Sequence, residues 1–409
     1  MGLCPVIVSA SANSAAKVGD KYYDNLEDAI AGASSTDTIS LISDVKLDDS
    51  LSINKTVNIN LNGNDVMAPS NVFDVKGGVL NVSGKGVIKE TEPNYGAIRV
   101  LGSSDSSDSY YSVVNVGKDV TLEGWSGIFI THDNSKAYGI VVNLEGKINS
   151  VNDTNGDTGV GVYVNGNIKH QTNEPIVNIK DGAEITSTGA GLYIAGNATF
   201  NIGKAYIEGD EAGIGIKAGK LNIDGASVIS EGEDKTPTSG YNDGIRASGT
   251  SIQIESNSGY AGNMDINIDS GTFRSKNSNV IYEYIGKGSS SLVNDIDISG
   301  GTFKSDAGKS VFNVSDSFKG KHTGFVSGGK YSSDPSSYLK SGYSATLDNS
   351  LYNVVGSTSR MVVGEGTNTD DGNGVLKTIS IIVILGILGI FGYVYRDKIF
   401  GLFRRISVI

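Results

Sequence analysis

The chain has 409 residues and a formal net charge of −12, with 19% of its residues charged. An acidic body repels phosphate backbones, which argues against a nucleic-acid partner. One cysteine, Cys4, excludes a disulfide framework, and three scattered histidines (His132, His170, His322) give no zinc spacing, so neither metal nor other cofactor is expected.

At the N-terminus, LCPVIVSASA (residues 3–12) is an apolar stretch running into small residues suited to cleavage near Ala12 or Ala15. We expect a signal segment over residues 1–16 with an incomplete start, because the basic n-region is missing. Residues 17–66 follow as an N-terminal cap and first coil. Within them YYDNLEDAIAGA (residues 22–33) puts Leu26, Ile30 and Ala33 on one helical face, with Asp24 placed to cap the helix. Such a helix would plug the open end of an apolar column.

Residues 67–363 carry an internal repeat, and repeats decide the architecture. An aliphatic–Asn–aliphatic run leads into a Gly turn at NVSGKGVI (Asn81), NVGKDVTL (Asn115), NLEGKINS (Asn143) and NIKDGAEITS (Asn178). It recurs at NIGKAYIEG (Asn201), NIDGASVIS (Asn222), NIDSGTFRS (Asn267) and DISGGTFKS (Asp297), with a last variant at FVSGGKYSS (Phe325). The first eight are each followed by a second short strand: GAIRV, SGIFI, VGVYV, AGLYI, AGIGI, DGIRA, NVIYE and VFNV.

Alternation turns Ile98, Ile128, Val162, Leu192, Ile214, Ile245, Val280 and Phe312 inward on this second strand. Each unit is too small to bury a core alone, so stacked units must share one hydrophobic column. The expectation is an all-β chain: a right-handed parallel β-helix with a short N-terminal capping helix and one C-terminal transmembrane helix. The outward positions then read Arg99, Phe129, Tyr163, Tyr193, Gly215, Arg246, Ile281 and Asn313. Coils lie about 4.8 Å apart, so Phe129, Tyr163 and Tyr193 would form an aromatic strip flanked by Arg99 and Arg246. A glycan or a surface protein of host or bacterium would lie against such rings. The plainer reading is that stacked rings stabilise the sheet surface, or lie beneath a loop.

KVGDKYYDNLEDAIAGASSTDTISLISDV, the SGGTFKS turns and GGKYSSDPSSYLKSGYSATLDNSLYNVV resemble the pectate-lyase-like right-handed β-helix family, versions of which occur in surface proteins of gut Firmicutes. The resemblance covers residues 17–356. It implies architecture more than activity, since many functions share this fold.

Residues 364–377 open with GEGTNTDDGNG, which has no apolar residue and reads as a flexible spacer. Residues 378–395 (TISIIVILGILGIFGYVY) are uncharged and would span about 27 Å as a helix, close to the hydrocarbon thickness of a bilayer. Arg396, Lys398, Arg404 and Arg405 make residues 396–409 a basic tail, cytoplasmic by the positive-inside rule. The expected location is therefore the cell membrane, crossed once with the body outside, in a Gram-positive-type bacterium.

The resemblance also raises an enzyme. Lyases need carboxylate-held calcium with a base, and hydrolases need converging aspartates. Asn368-Thr369-Asp370-Asp371-Gly372 lies in the spacer, and Asp243-Gly244-Ile245-Arg246 has no acids in register on neighbouring coils. No catalytic residue is assigned. The leading expectation is an adhesin-like, membrane-anchored binding protein using Arg99, Phe129, Tyr163, Tyr193 and Arg246. A polysaccharide lyase or glycoside hydrolase is the alternative, and a structural spacer without ligand the second.

Overall fold

The computed structural model describes residues 14–356 apart from 133–135, 170, 237–243, 245–247 and 261. It is all-β, 52% strand and 5% helix, built from long parallel sheets. Three columns of strands stack coil upon coil. The first runs from Thr56–Asn60 through Val79–Ser83, Ser112–Val116, Ile140–Leu144, Ile176–Ile179 and Thr199–Ile202. It continues into the first halves of two long strands, Gly219–Ser230 and Met264–Ser275, whose second halves belong to the second column. That second column includes Gly86–Glu90, Val120–Gly124, Lys147–Ser150, Glu184–Ser187, Tyr206–Gly209 and Thr302–Ser305. A third, separate sheet stacks Leu51–Ile53, Phe73–Lys76, Gly96–Leu101, Ser126–Thr131, Val160–Val164, Ala190–Ile194, Ala212–Ile216, Thr250–Asn257, Ile281–Lys287 and Phe312–Asn313. This repeated, parallel, solenoid-like arrangement is compatible with a β-helix.

The repeat in the sequence has a physical reason at each position. Inward residues of the columns form one continuous core cluster, from Leu26 and Ile39 at one end to Phe325 and Tyr331 at the other. Each such side chain contributes about 1.5–3 kcal/mol on full burial. The asparagine of each unit points outward. Its Nδ2 donates to Oδ1 of the asparagine one coil back, at 2.6–3.0 Å, unbroken from Asn267 to Asn58. The serine that ends five of the units (Ser150, Ser187, Ser230, Ser275, Ser305) is buried at a corner. There the hydroxyls of Ser150 and Ser187 donate to the carbonyls of Val160 and Gly159, and Ser275 accepts from the Ser251 N–H. These contacts satisfy backbone groups that the turn would otherwise orphan.

The cap helix is Leu26–Gly32, with Leu26 and Ala29 buried and Ile30 and Ala33 packed against the core. Its N-cap is Asn25, not Asp24: Asn25 Oδ1 accepts the Asp28 N–H at 2.7 Å. Two further assignments are corrected on the third sheet. The strand following Ala212–Ile216 is Thr250–Asn257, with Ile252 and Ile254 inward, in the place expected for DGIRA, of which residues 243 and 245–247 lie outside the described residues. On Ile281–Lys287 the inward residues are Ile281 and Glu283, so Ile281 does not take its expected outward place, and Tyr282 faces outward beside Gln253. Val280 is buried as well, so two consecutive aliphatics concealed the phase.

Among the described residues no helix is long and apolar enough to cross a membrane. The predicted spacer, membrane helix and basic tail, and the signal segment up to residue 13, lie outside the described residues.

Candidate functional site

The outer face of the third sheet brings most of the expected residues into one row. Register runs Asp74, Arg99, Phe129, Tyr163, Tyr193, Gly215, Gln253, Tyr282, Asn313. The ring centroids of Phe129 and Tyr163 are 5.1 Å apart, and those of Tyr163 and Tyr193 5.0 Å. Gln253 occupies the position expected for Arg246, which lies outside the described residues.

The row is not an open strip. Arg99 is clamped to Asp74 through two contacts, Nε to Oδ1 at 2.8 Å and a second between its terminal nitrogen and Oδ2. Tyr193 is only 1% exposed. Tyr260, from a loop 67 residues further along, covers it, the two hydroxyls 3.4 Å apart. Trp125 closes the other flank, 5.5 Å from Tyr163, with its indole N–H donating to the Thr158 carbonyl at 3.0 Å. Val160, Tyr193 and Ala195, with Trp125, Tyr163 and Tyr260 against them, form a small apolar cluster outside the main column.

What remains open is a groove of about 350 Å³ between Tyr163 and Tyr260, also lined by Asn165, Gly166, Asn167, Gly259 and Lys287. Gly166 makes it possible: a Cβ there would sit 2.6 Å from Tyr260 Cε1, so only a bare backbone lets that ring lie down. Lys287 is exposed, and its ammonium makes no hydrogen bond or ion pair with the described residues. The groove thus offers two aromatic faces, two side-chain amides and one cation.

A second, more open groove of about 660 Å³ follows the asparagine ladder past Asn143, Asn178, Asn201 and Asn222, with Glu145, Lys180, Asp181, Asp224 and Asp269 along it. It has no aromatic lining, and each amide already spends one donor on its neighbour. Among the described residues, no three His, Cys, Asp or Glu side chains converge to hold a metal ion.

Tyr260, Trp125 and Lys287 were not singled out from sequence. Tyr260 sits in SNSGY, a Gly-containing turn like many others in this chain, and nothing local marks it as the partner of Tyr193. No family model matches the chain, and no curated protein or solved structure matches it either.

Proposed function

We propose that this protein is a cell-surface binding protein, adhesin-like, built as a right-handed β-helix of the pectate-lyase-like kind and held in the membrane by residues 378–395. Its ligand is a carbohydrate chain lying in the groove between Tyr163 and Tyr260. One observation carries this reading: two tyrosine rings flank a groove whose remaining walls are amides, glycine backbone and an ammonium that has no partner among the described residues. Sugar rings present apolar C–H faces to aromatic side chains and hydroxyls to amides, and that combination is what the groove supplies. Arg99, committed to Asp74, drops out of the contact set, while Phe129 and Tyr193 support Tyr163 from either side.

The chain has a single tryptophan, and Trp125 touches Tyr163. Its fluorescence therefore reports occupancy directly. The purified protein is titrated with plant, host and bacterial glycans, alongside Tyr163→Ala and Lys287→Gln. A saturable emission change, weakened about tenfold or more by Tyr163→Ala, supports the reading. Cleavage of the bound glycan would replace binding with catalysis. No response to any glycan would favour a structural spacer.

A further inference from the structure

Beneath the groove lies a second polar constellation that no binding role requires. Lys217 follows the strand Ala212–Ile216 and, by the register of Ile216 with Ile254, stands opposite Glu255 on Thr250–Asn257. Asn257 is one same-face step further along that strand. Lys217 and Glu255 are each 2% exposed and Asn257 is fully buried. One carboxyl group holds both neighbours: Lys217 Nζ is 2.9 Å from Glu255 Oε2, and Asn257 Nδ2 donates to Glu255 Oε1 at 2.7 Å. The Gly259 N–H donates to Asn257 Oδ1 at 2.9 Å. Tyr284 donates to Glu255 Oε2 at 2.9 Å, and the ammonium lies 4.5 Å and 5.3 Å from the ring centroids of Tyr260 and Tyr193.

We propose that Lys217 and Asn257 become joined by an intramolecular isopeptide bond, with Glu255 as the proton carrier. The arrangement contains every part such a reaction needs. The amine is the nucleophile and the side-chain amide carbon the electrophile. The carboxylate between them accepts from both nitrogens, and a backbone N–H polarises the amide oxygen where negative charge develops. Aromatic walls exclude water, which would otherwise compete as nucleophile. In the first step a proton moves from the Lys217 ammonium to the Glu255 carboxylate that it touches.

The neutral Lys217 amine then attacks Asn257 Cγ. A C–N bond forms, and the carbonyl electron pair moves onto Oδ1, held by the Gly259 N–H. Glu255 delivers its proton to Nδ2 and takes one from Nζ. The Cγ–Nδ2 bond breaks, the carbonyl re-forms and ammonia leaves. A primary amide and an amine have become a secondary amide and ammonia, with no oxidant or co-reactant. The product staples two successive coils at the point where the Tyr260 loop departs.

The test is peptide mapping of the full chain by mass spectrometry after denaturation and digestion at lysine and arginine, beside Lys217→Arg and Glu255→Gln. The expected result for the native sequence is no cleavage after Lys217. In its place a branched peptide joins the Lys217 and Asn257 segments, lighter by one ammonia than the unlinked pair. Both substitutions return linear peptides. A linear peptide ending at Lys217, together with unmodified Asn257 in folded protein, overturns the proposal. Cross-linking that persists in Glu255→Gln overturns the role given to Glu255. Because the native chain alone decides whether the bond exists, the test survives a variant that does not fold.

Discussion

Phe303 and Tyr331 lie ring on ring at matching positions of successive coils, 4.9 Å between centroids and 3° from parallel. Phe273 continues the stack on the other side of Phe303 at 4.6 Å. The turns before these rings, SGTF, SGGTF and SGGKY, each carry a glycine at positive φ: Gly271, Gly301 and Gly329. The recurrence of Gly–x–aromatic is therefore a packing rule, not a composition bias.

Truncating the middle ring removes contacts on both faces at once. Phe303→Ala should lower stability by about 3–5 kcal/mol, and Phe303→Leu by clearly less. Tyr331→Phe removes a buried hydroxyl that donates to the Gly328 carbonyl at 2.8 Å, costing about 1 kcal/mol. Urea unfolding midpoints of the three variants check the order; an equal loss for Phe303→Ala and Tyr331→Phe would refute the stack as a stabilising element.

The asparagine ladder ends in a mismatch. Asp297 stands in register with Asn267, where the pattern calls for a donor. Its Oδ2 pairs with Lys340 at 2.7 Å, while its Oδ1 is buried without a hydrogen-bond partner among the described residues. Asp297→Asn would extend the ladder by one donor and stabilise by about 0.5–1.5 kcal/mol. The weakened pair with Lys340 is more than a third exposed, so it offsets little of that gain. Asn178→Asp, which sets a carboxylate oxygen against the Asn143 Oδ1 that now accepts from Asn178 Nδ2, should destabilise. Thermal melts of both variants give opposite signs if the ladder is read correctly.

Glu90 takes the corner position that serine or glycine holds on later coils. Burial pushes its carboxyl above the ordinary range, against backbone N–H donation from Asn94, Trp125 and Tyr95. A carboxyl with a raised folded pKa keeps its proton in the folded state after the unfolded chain has released it. Stability contributed by that site is therefore present below the ordinary carboxylate pKa and lost as pH rises through the raised value. Glu90→Gln, which mimics the protonated acid at every pH, should remove that slope. Melting both proteins at about pH 4 and about pH 7.5 tests it: the native chain should lose ground to the variant at the higher pH.

Much of this architecture is legible in the sequence because period-two burial and the Asn, Gly and Ser of each unit are local signals. Ile98, Ile128, Val162, Leu192 and Ile214 fall inward as alternation requires, and the rings of Phe129, Tyr163 and Tyr193 meet. The failures have local causes too. Asp24 and Asn25 are adjacent and both competent caps, so composition could not choose between them. DGIRA fits the aliphatic pattern as well as SIQIE does, and only strand pairing separates them. The cover over Tyr193 is a long-range contact, and alternation within a strand says nothing about which distant loop returns to it.

That cover rests on Gly166. A methyl group there would lie 2.6 Å and 2.7 Å from Tyr260 Cε1 and Cδ1. The ring must swing away, giving up its contact with the Tyr193 hydroxyl and its place 4.5 Å from the Lys217 ammonium. Gly166→Ala should therefore cost about 1–3 kcal/mol, the usual range for overpacking. In a Tyr260→Ala background the clash has no partner, and the same glycine substitution should cost almost nothing. A double-mutant cycle on unfolding free energies isolates that coupling. Additive costs would mean that Tyr260 does not lie on Gly166, and the wall it gives the groove would go with it.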